Sequence, residues 1–137
     1  MRGLLLSLAL AASAASAAGV TVSDGWFRAL PGTVPSGGYF TVHNAGDKPV
    51  SLTGASSPAC GMLMLHKSET QGGVASMEMM DGIDVPPRGS VQFAPGGYHL
   101  MCMEPKMKPG VKVPVKLEFA SGANVTASFT VKDAKGQ

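Results

Sequence analysis

Two of the three histidines in this chain stand two residues from a methionine, in segments that read as β-strands. In an extended strand alternate side chains share a face. Met62, Met64 and His66 therefore project together, as do His99, Met101 and Met103, while Leu100 and Cys102 turn the other way. A further methionine, Met77, follows the Gly72-Gly73 turn. Should the two strands approach, each would bring one imidazole flanked by sulfurs, and a compact cluster of two nitrogens and two thioethers would result. Thioethers are soft, neutral donors that favour Cu(I); imidazole serves copper in either oxidation state, whereas zinc sites normally draw on Cys, His and carboxylate. Copper is thus the expected ion, with Cu(I) preferred. A thioether has no proton to lose, so imidazole protonation is what should weaken such a site as pH falls. Methionine stripes also fill cores, and a strand histidine is often structural. An imidazole in a Met-lined apolar surround nevertheless needs a partner, which favours the metal reading.

The elements that must position these groups are short. The chain has 137 residues, 45% hydrophobic and 15% charged, with a formal charge of +2, which excludes a two-domain enzyme, a disordered tail and a nucleic-acid-binding basic patch. Residues 1–18 read as a cleaved export signal: Arg2 is the lone early charge, Leu4 to Ala12 form a short apolar run, and Ala15-Ser16-Ala17 and Ser16-Ala17-Ala18 offer small residues for cleavage. The apolar run is too short to span a bilayer, and no cysteine follows it to accept a lipid, so an exported protein without a membrane anchor is expected. Residues 19–137 would form one domain. Their Val, Thr, Phe and Tyr-rich segments, punctuated by Gly and Pro, predict an all-β sandwich or barrel. Strands are expected at Val20–Ala29, Gly38–Asn44, Val50–Ala55, Met62–Lys67, Ala75–Met79, Ser90–Phe93, Tyr98–Met103, Val111–Phe119 and Asn124–Lys132, with Leu30–Gly37 as the longest irregular connection.

The spacing of His66, Met77, His99 and Met101 resembles the H-x10-M-x21-H-x-M signature of the PCu(A)C family of periplasmic copper chaperones. The segments Asp24-Gly25-Trp26-Phe27-Arg28, Tyr39-Phe40-Thr41-Val42-His43-Asn44, Ala55-Ser56-Ser57-Pro58 and Pro95-Gly96-Gly97-Tyr98-His99-Leu100-Met101 extend that resemblance over nearly the whole of residues 19–137. It implies a cupredoxin-like Greek-key β-sandwich in the periplasm. His66, Met77, His99 and Met101 would bind Cu(I) at the surface, and the monomer would pass it on by ligand exchange. The implied recipient is the copper A centre of cytochrome c oxidase, reached directly or through a Sco-type thiol protein. The family's frequent His/Met-rich C-terminal extension is absent from this chain's ending, Lys132-Asp133-Ala134-Lys135-Gly136-Gln137, so one main site is expected.

The remaining residues receive simpler expectations. Cys60 and Cys102 flank the ligand strands, and two cysteines in an exported protein predict a disulfide. Met64 and Met103 share the ligand faces and are candidates for a second shell or an exchange path, with core packing as the competing role. His43 is expected to face solvent and Trp26 to pack in the core or at an edge. Met62, Met79, Met80 and Met107 are assigned to packing or an apolar rim. Rival functions are weaker. A blue-copper electron carrier would need a Cys ligand in a His2Cys site, and no His follows Cys102. No Ser/His/Asp, paired-carboxylate or multi-His constellation supports an enzyme. A copper-storage or copper-resistance protein would use the same ligands without a dedicated recipient, and a structural sandwich would bind no metal at all.

Overall fold

The structure is a computed structural model that describes residues 14–137. Most of the expected export segment, residues 1–13, lies outside the described residues. Eleven strands follow one another: β1 (Ala15–Ala17), β2 (Val20–Arg28), β3 (Ser36–Asn44), β4 (Val50–Ser56), β5 (Met62–Gln71), β6 (Val74–Met79), β7 (Ile83–Val85), β8 (Ser90–Phe93), β9 (Tyr98–Met103), β10 (Lys112–Phe119) and β11 (Asn124–Lys132). The described residues contain no helix. Nine of these strands coincide with the expected ones to within a few residues at each end. β7 is an addition to the expected set, because three residues are too few for an alternation to register. β1 is another, and pairs with β2 across Ala18 and Gly19, whose positive φ angles of 53° and 79° give the left-handed pair a two-residue hairpin requires. The longest irregular connection is residues 104–111, between β9 and β10, rather than the expected Leu30–Gly37, since β3 already begins at Ser36.

The strands hydrogen-bond in the order β6-β5-β9-β3-β2-β11-β10-β4-β7, with β1 added to β2 and β8 to β3. Neighbours such as β9 and β3, or β4 and β10, are far apart in sequence, as a Greek-key sandwich requires. Strict alternation drives the fold: in β10 and β11 every second side chain is buried, from Val113 to Phe119 and from Val125 to Val131. The inner faces enclose one core, at whose centre Phe40 stacks on Phe93 with ring centroids 4.2 Å apart and meets Phe129 at 5.7 Å, while Phe27 meets Phe129 at 5.3 Å. The cupredoxin-like all-β fold expected from the sequence is the one observed.

A bulge in β2 decides which of its residues face outward. Val20 and Val22 point into the core, the pairing with β3 slips between Ser23 and Trp26, and Phe27 is then the next fully buried residue. One extra residue thus switches the inward set from even to odd positions, turning Trp26 and Arg28 outward. Gly25 sits in the bulge because a Cβ there would run into the Phe129 ring.

The expected disulfide is present. Cys60, just before β5, bonds to Cys102 in β9, with Cα atoms 5.4 Å apart at a sequence separation of 42. Cys102 is fully buried on the core side of β9.

Candidate metal centre

The outer face of β6, β5 and β9 gathers the residues singled out from sequence. β5 and β9 run antiparallel with His66 directly opposite His99, Met64 opposite Met101 and Met62 opposite Met103. Directly opposed residues share a face. Leu63, Leu65, Leu100 and Cys102 are buried on the other side, so alternation alone turns both histidines and their methionines outward. β6 continues the array, setting Met77 opposite Ser68 and Met79 opposite His66. All four expected ligands therefore lie on one face across three adjacent strands. Met77, His99 and Met101 line a common groove of about 380 Å³ together with Gly37, Tyr39 and Arg28. His66 lies at its side, its ring centroid 5.6 Å from that of His99 and the two planes nearly perpendicular.

The imidazoles carry the chemical information. His99 is only 4% exposed, and its Nδ1 lies 3.1 Å from the Gly97 carbonyl oxygen. A carbonyl can only accept, so Nδ1 holds the proton and donates it, leaving the Nε2 lone pair free. That Nε2 is buried with no hydrogen-bond partner, and both ring nitrogens of His66 are in the same condition. Each such group costs about 1–3 kcal/mol when left unsatisfied. A backbone carbonyl that orients an imidazole while its other nitrogen stays free is the usual outer support of a metal-ligating histidine. Burial, and then the neighbouring His99, hold the His66 pKa below the ordinary value of 6.5. The ring is neutral near pH 7, the form in which imidazole binds metals. Met77 contrasts with buried His99 and half-buried His66: it is 62% exposed on β6, all of whose side chains are exposed. The donor set thus grades from buried His99 through half-buried His66 and Met101 to exposed Met77.

The residues beside the groove form a cationic, aromatic rim. Arg28 stacks over Trp26 and Tyr39 at 5.3 and 5.9 Å, and Lys132 Nζ lies 4.8 Å from the Trp26 ring centroid. Gly37 faces Met101 across the β3–β9 pairing. A Cβ there would come within 2.6 Å of the Tyr39 hydroxyl, so glycine leaves room for the tyrosine to lie beside the groove. Trp26 is accordingly an edge residue, one of its two expected places. His43 faces solvent as expected and hydrogen-bonds Ser90 Oγ through Nδ1 at 2.7 Å.

The methionines divide. Met80 and Met107 pack against the core, as expected. Met62 and Met79 are 59% and 63% exposed, so packing does not account for them. Met79 is the neighbour that sequence reasoning passes over: it alternates with Met77 along β6 and stands directly across from His66. The Met77-Glu78-Met79 spacing is the available signal, but only the β5–β6 register shows which residue it faces.

Residues 20–131 match the LpqE-like family, a lipoprotein family by its description. The chain belongs to the LpqE-like family. A relative of lipoprotein description, Lxx21020 of Leifsonia xyli subsp. xyli (strain CTCB07), is 34% identical over 121 residues, covering 86% of this chain and 72% of the relative. Among solved structures, this LpqE-like chain is similar to the copper-bound PCuAC domain from PmoF2, at a TM-score of 0.74 and 27% identity, over 88% of this chain and 98% of that one. It is also similar to the Cu(I) form of DR1885 from Deinococcus radiodurans, at 0.65 and 30%, over 80% of this chain and 75% of that one. The resemblance to PCu(A)C proteins that the sequence carries is thereby shown for the family and fold of this LpqE-like chain.

Proposed function

We propose that this LpqE-like protein is an exported copper carrier that holds Cu(I) through His66, Met77, His99 and Met101 and hands it to an acceptor by ligand exchange. The observation that carries the reading is the set of buried imidazole nitrogens without partners, His66 Nδ1 and Nε2 and His99 Nε2, on a face otherwise furnished with thioethers. A soft monovalent ion bound to His99 Nε2 and to the unprotonated nitrogen of His66 gives both imidazole lone pairs a partner without needing a carboxylate for charge balance. The copper-bound PmoF2 domain and the Cu(I) form of DR1885 support the same ion.

The gradient of exposure suggests the order of exchange. Met77 is the accessible ligand and is displaced first by an incoming thiolate or imidazole; His99, buried and held by Gly97, lets go last. Copper stays monovalent throughout and is never free in solution. The protein works as a monomer in the periplasm after removal of residues 1–18. Its acceptor is the copper A centre of cytochrome c oxidase, directly or through a Sco-type thiol protein. The carrier reading needs no catalytic group.

The decisive experiment is anaerobic Cu(I) titration against a chromogenic chelator, for the wild type and for His66→Ala, Met77→Leu, His99→Ala and Met101→Leu. One tight equivalent that weakens in each variant is expected. Unchanged affinity in both histidine variants would remove the reading. Transfer from the loaded protein to copper-free acceptors then identifies the recipient.

A further inference from the structure

The paired strands that carry the histidines continue outward into methionines that the main site does not use. Met62 faces Met103 across β5 and β9, and Met64 lies between Met62 and His66 on the same face, opposite Met101. Met62 is 59% exposed, and Met64 and Met103 are half-buried, while the inward positions Leu63 and Cys102 between them are closed. Core filling therefore does not explain three thioethers turned to the same side at adjacent positions.

We propose that Met62, Met64 and Met103 form a second Cu(I) site, made of thioethers alone, beside the His66–His99 pair. Opposed residues in an antiparallel ladder have Cβ atoms about 4.5–5.5 Å apart. Alternate residues along one strand are separated by roughly 6.8 Å. The methionine sulfur lies two bonds beyond Cβ on a side chain with three rotatable bonds, so three such sulfurs can converge on one ion above the sheet. Neutral soft donors select a soft monovalent cation, Cu(I) or Ag(I), and offer nothing to zinc or calcium. Because Met64 stands directly opposite Met101, the new site abuts the main one. An ion can move from Met62 and Met103 at the rim toward Met101 by exchanging one thioether for another, with no change of oxidation state. The site serves as an arrival point whose ligands lie closer to solvent than the buried His99.

The proposal rests on monovalent copper being the cargo but not on the four-ligand set. Its test is titration of the full chain with Ag(I), a redox-silent stand-in for Cu(I), followed by NMR of ¹³C-labelled methionine methyl groups. A second equivalent that moves the Met62, Met64 and Met103 methyl signals is expected. In the variant Met62→Leu, Met64→Leu, Met103→Leu, the second equivalent should disappear while the first is retained. In His66→Ala, His99→Ala the three methyl signals should still respond. If wild type binds a single equivalent that leaves these methyls unmoved, or if the triple leucine variant still binds two, the proposal is wrong. Silence of Met77 and Met101 with a response from the other three would instead overturn the four-ligand reading and leave this site standing.

Discussion

The Cys60–Cys102 bond offers a sharp separation of scaffold from site. It joins the loop just before β5 to the next-to-last residue of β9, the two strands that carry the histidines, at a sequence separation of 42. Closing a loop of that length removes denatured-state entropy equivalent to about 4 kcal/mol. The variant Cys60→Ala, Cys102→Ala should therefore lose about 4 kcal/mol in guanidinium denaturation, and about 15 °C in midpoint for a domain of this size. Cys102, however, is buried on the core side with Leu63 and Leu100, on the face opposite His99 and Met101. The ladder that sets His66 opposite His99 does not depend on the sulfurs, so Cu(I) affinity of the variant, measured by chelator competition under conditions where it is fully folded, should stay within about threefold of wild type. A loss of affinity beyond tenfold in a folded variant would show that the cysteines take part in the site, and the division into a buried scaffold face and an outer ligand face would be wrong. Stability unchanged within about 1 kcal/mol would refute the loop-closure reasoning instead.

Further outcomes can be checked independently. The depressed His66 pKa means that, below the ordinary value of 6.5, the unfolded chain takes up a proton more readily than the folded one. This part of the apoprotein's stability is complete above pH 6.5 and is lost as pH falls toward the folded-state pKa, so urea midpoints should drop between pH 7.5 and 5.5 and drop less in His66→Gln. Gly38→Ala would put a Cβ 2.6 Å from the Phe27 ring and 3.2 Å from Leu100 Cβ, and overpacking of this kind should cost about 1–3 kcal/mol by chemical denaturation. Met77→Leu keeps volume but removes a donor from an exposed strand; circular dichroism and thermal midpoint should stay near wild type while Cu(I) affinity falls, and an unaltered affinity would take Met77 out of the ligand set.

Much of the architecture was legible in the chain because β-alternation is a local pattern: the runs in β10 and β11 bury every second residue, and their strands appear where expected. The same period of two put His99 and Met101 on one face of their strand, opposite Cys102, and His66 on one face with Met62 and Met64, before any strand pairing was known. What escaped was whatever depends on register or on a break in the pattern. The β2 bulge was not read, because Asp24-Gly25 marks a place where a bulge can form without fixing the pairing slip, yet it is what turns Trp26 and Arg28 outward beside the groove. β7 was too short to show a period, and Met79 was set aside because nothing local says that it faces His66.

The amino-acid sequence by itself determined the chemistry on offer: thioether and imidazole donors at alternate strand positions, with their spacing and their family signature, because residue type and side-chain direction are properties of short segments. Tertiary structure alone decided how those donors meet. The antiparallel register of β5 with β9 sets imidazole against imidazole and methionine against methionine, and the Gly97 carbonyl selects which nitrogen of His99 is free. The register depends on pairing between segments far apart in sequence, and a slip of one residue in it would turn one strand's ligands into the core. The Gly97 contact is made within the turn that leads into β9, by a backbone conformation that residue types alone do not display.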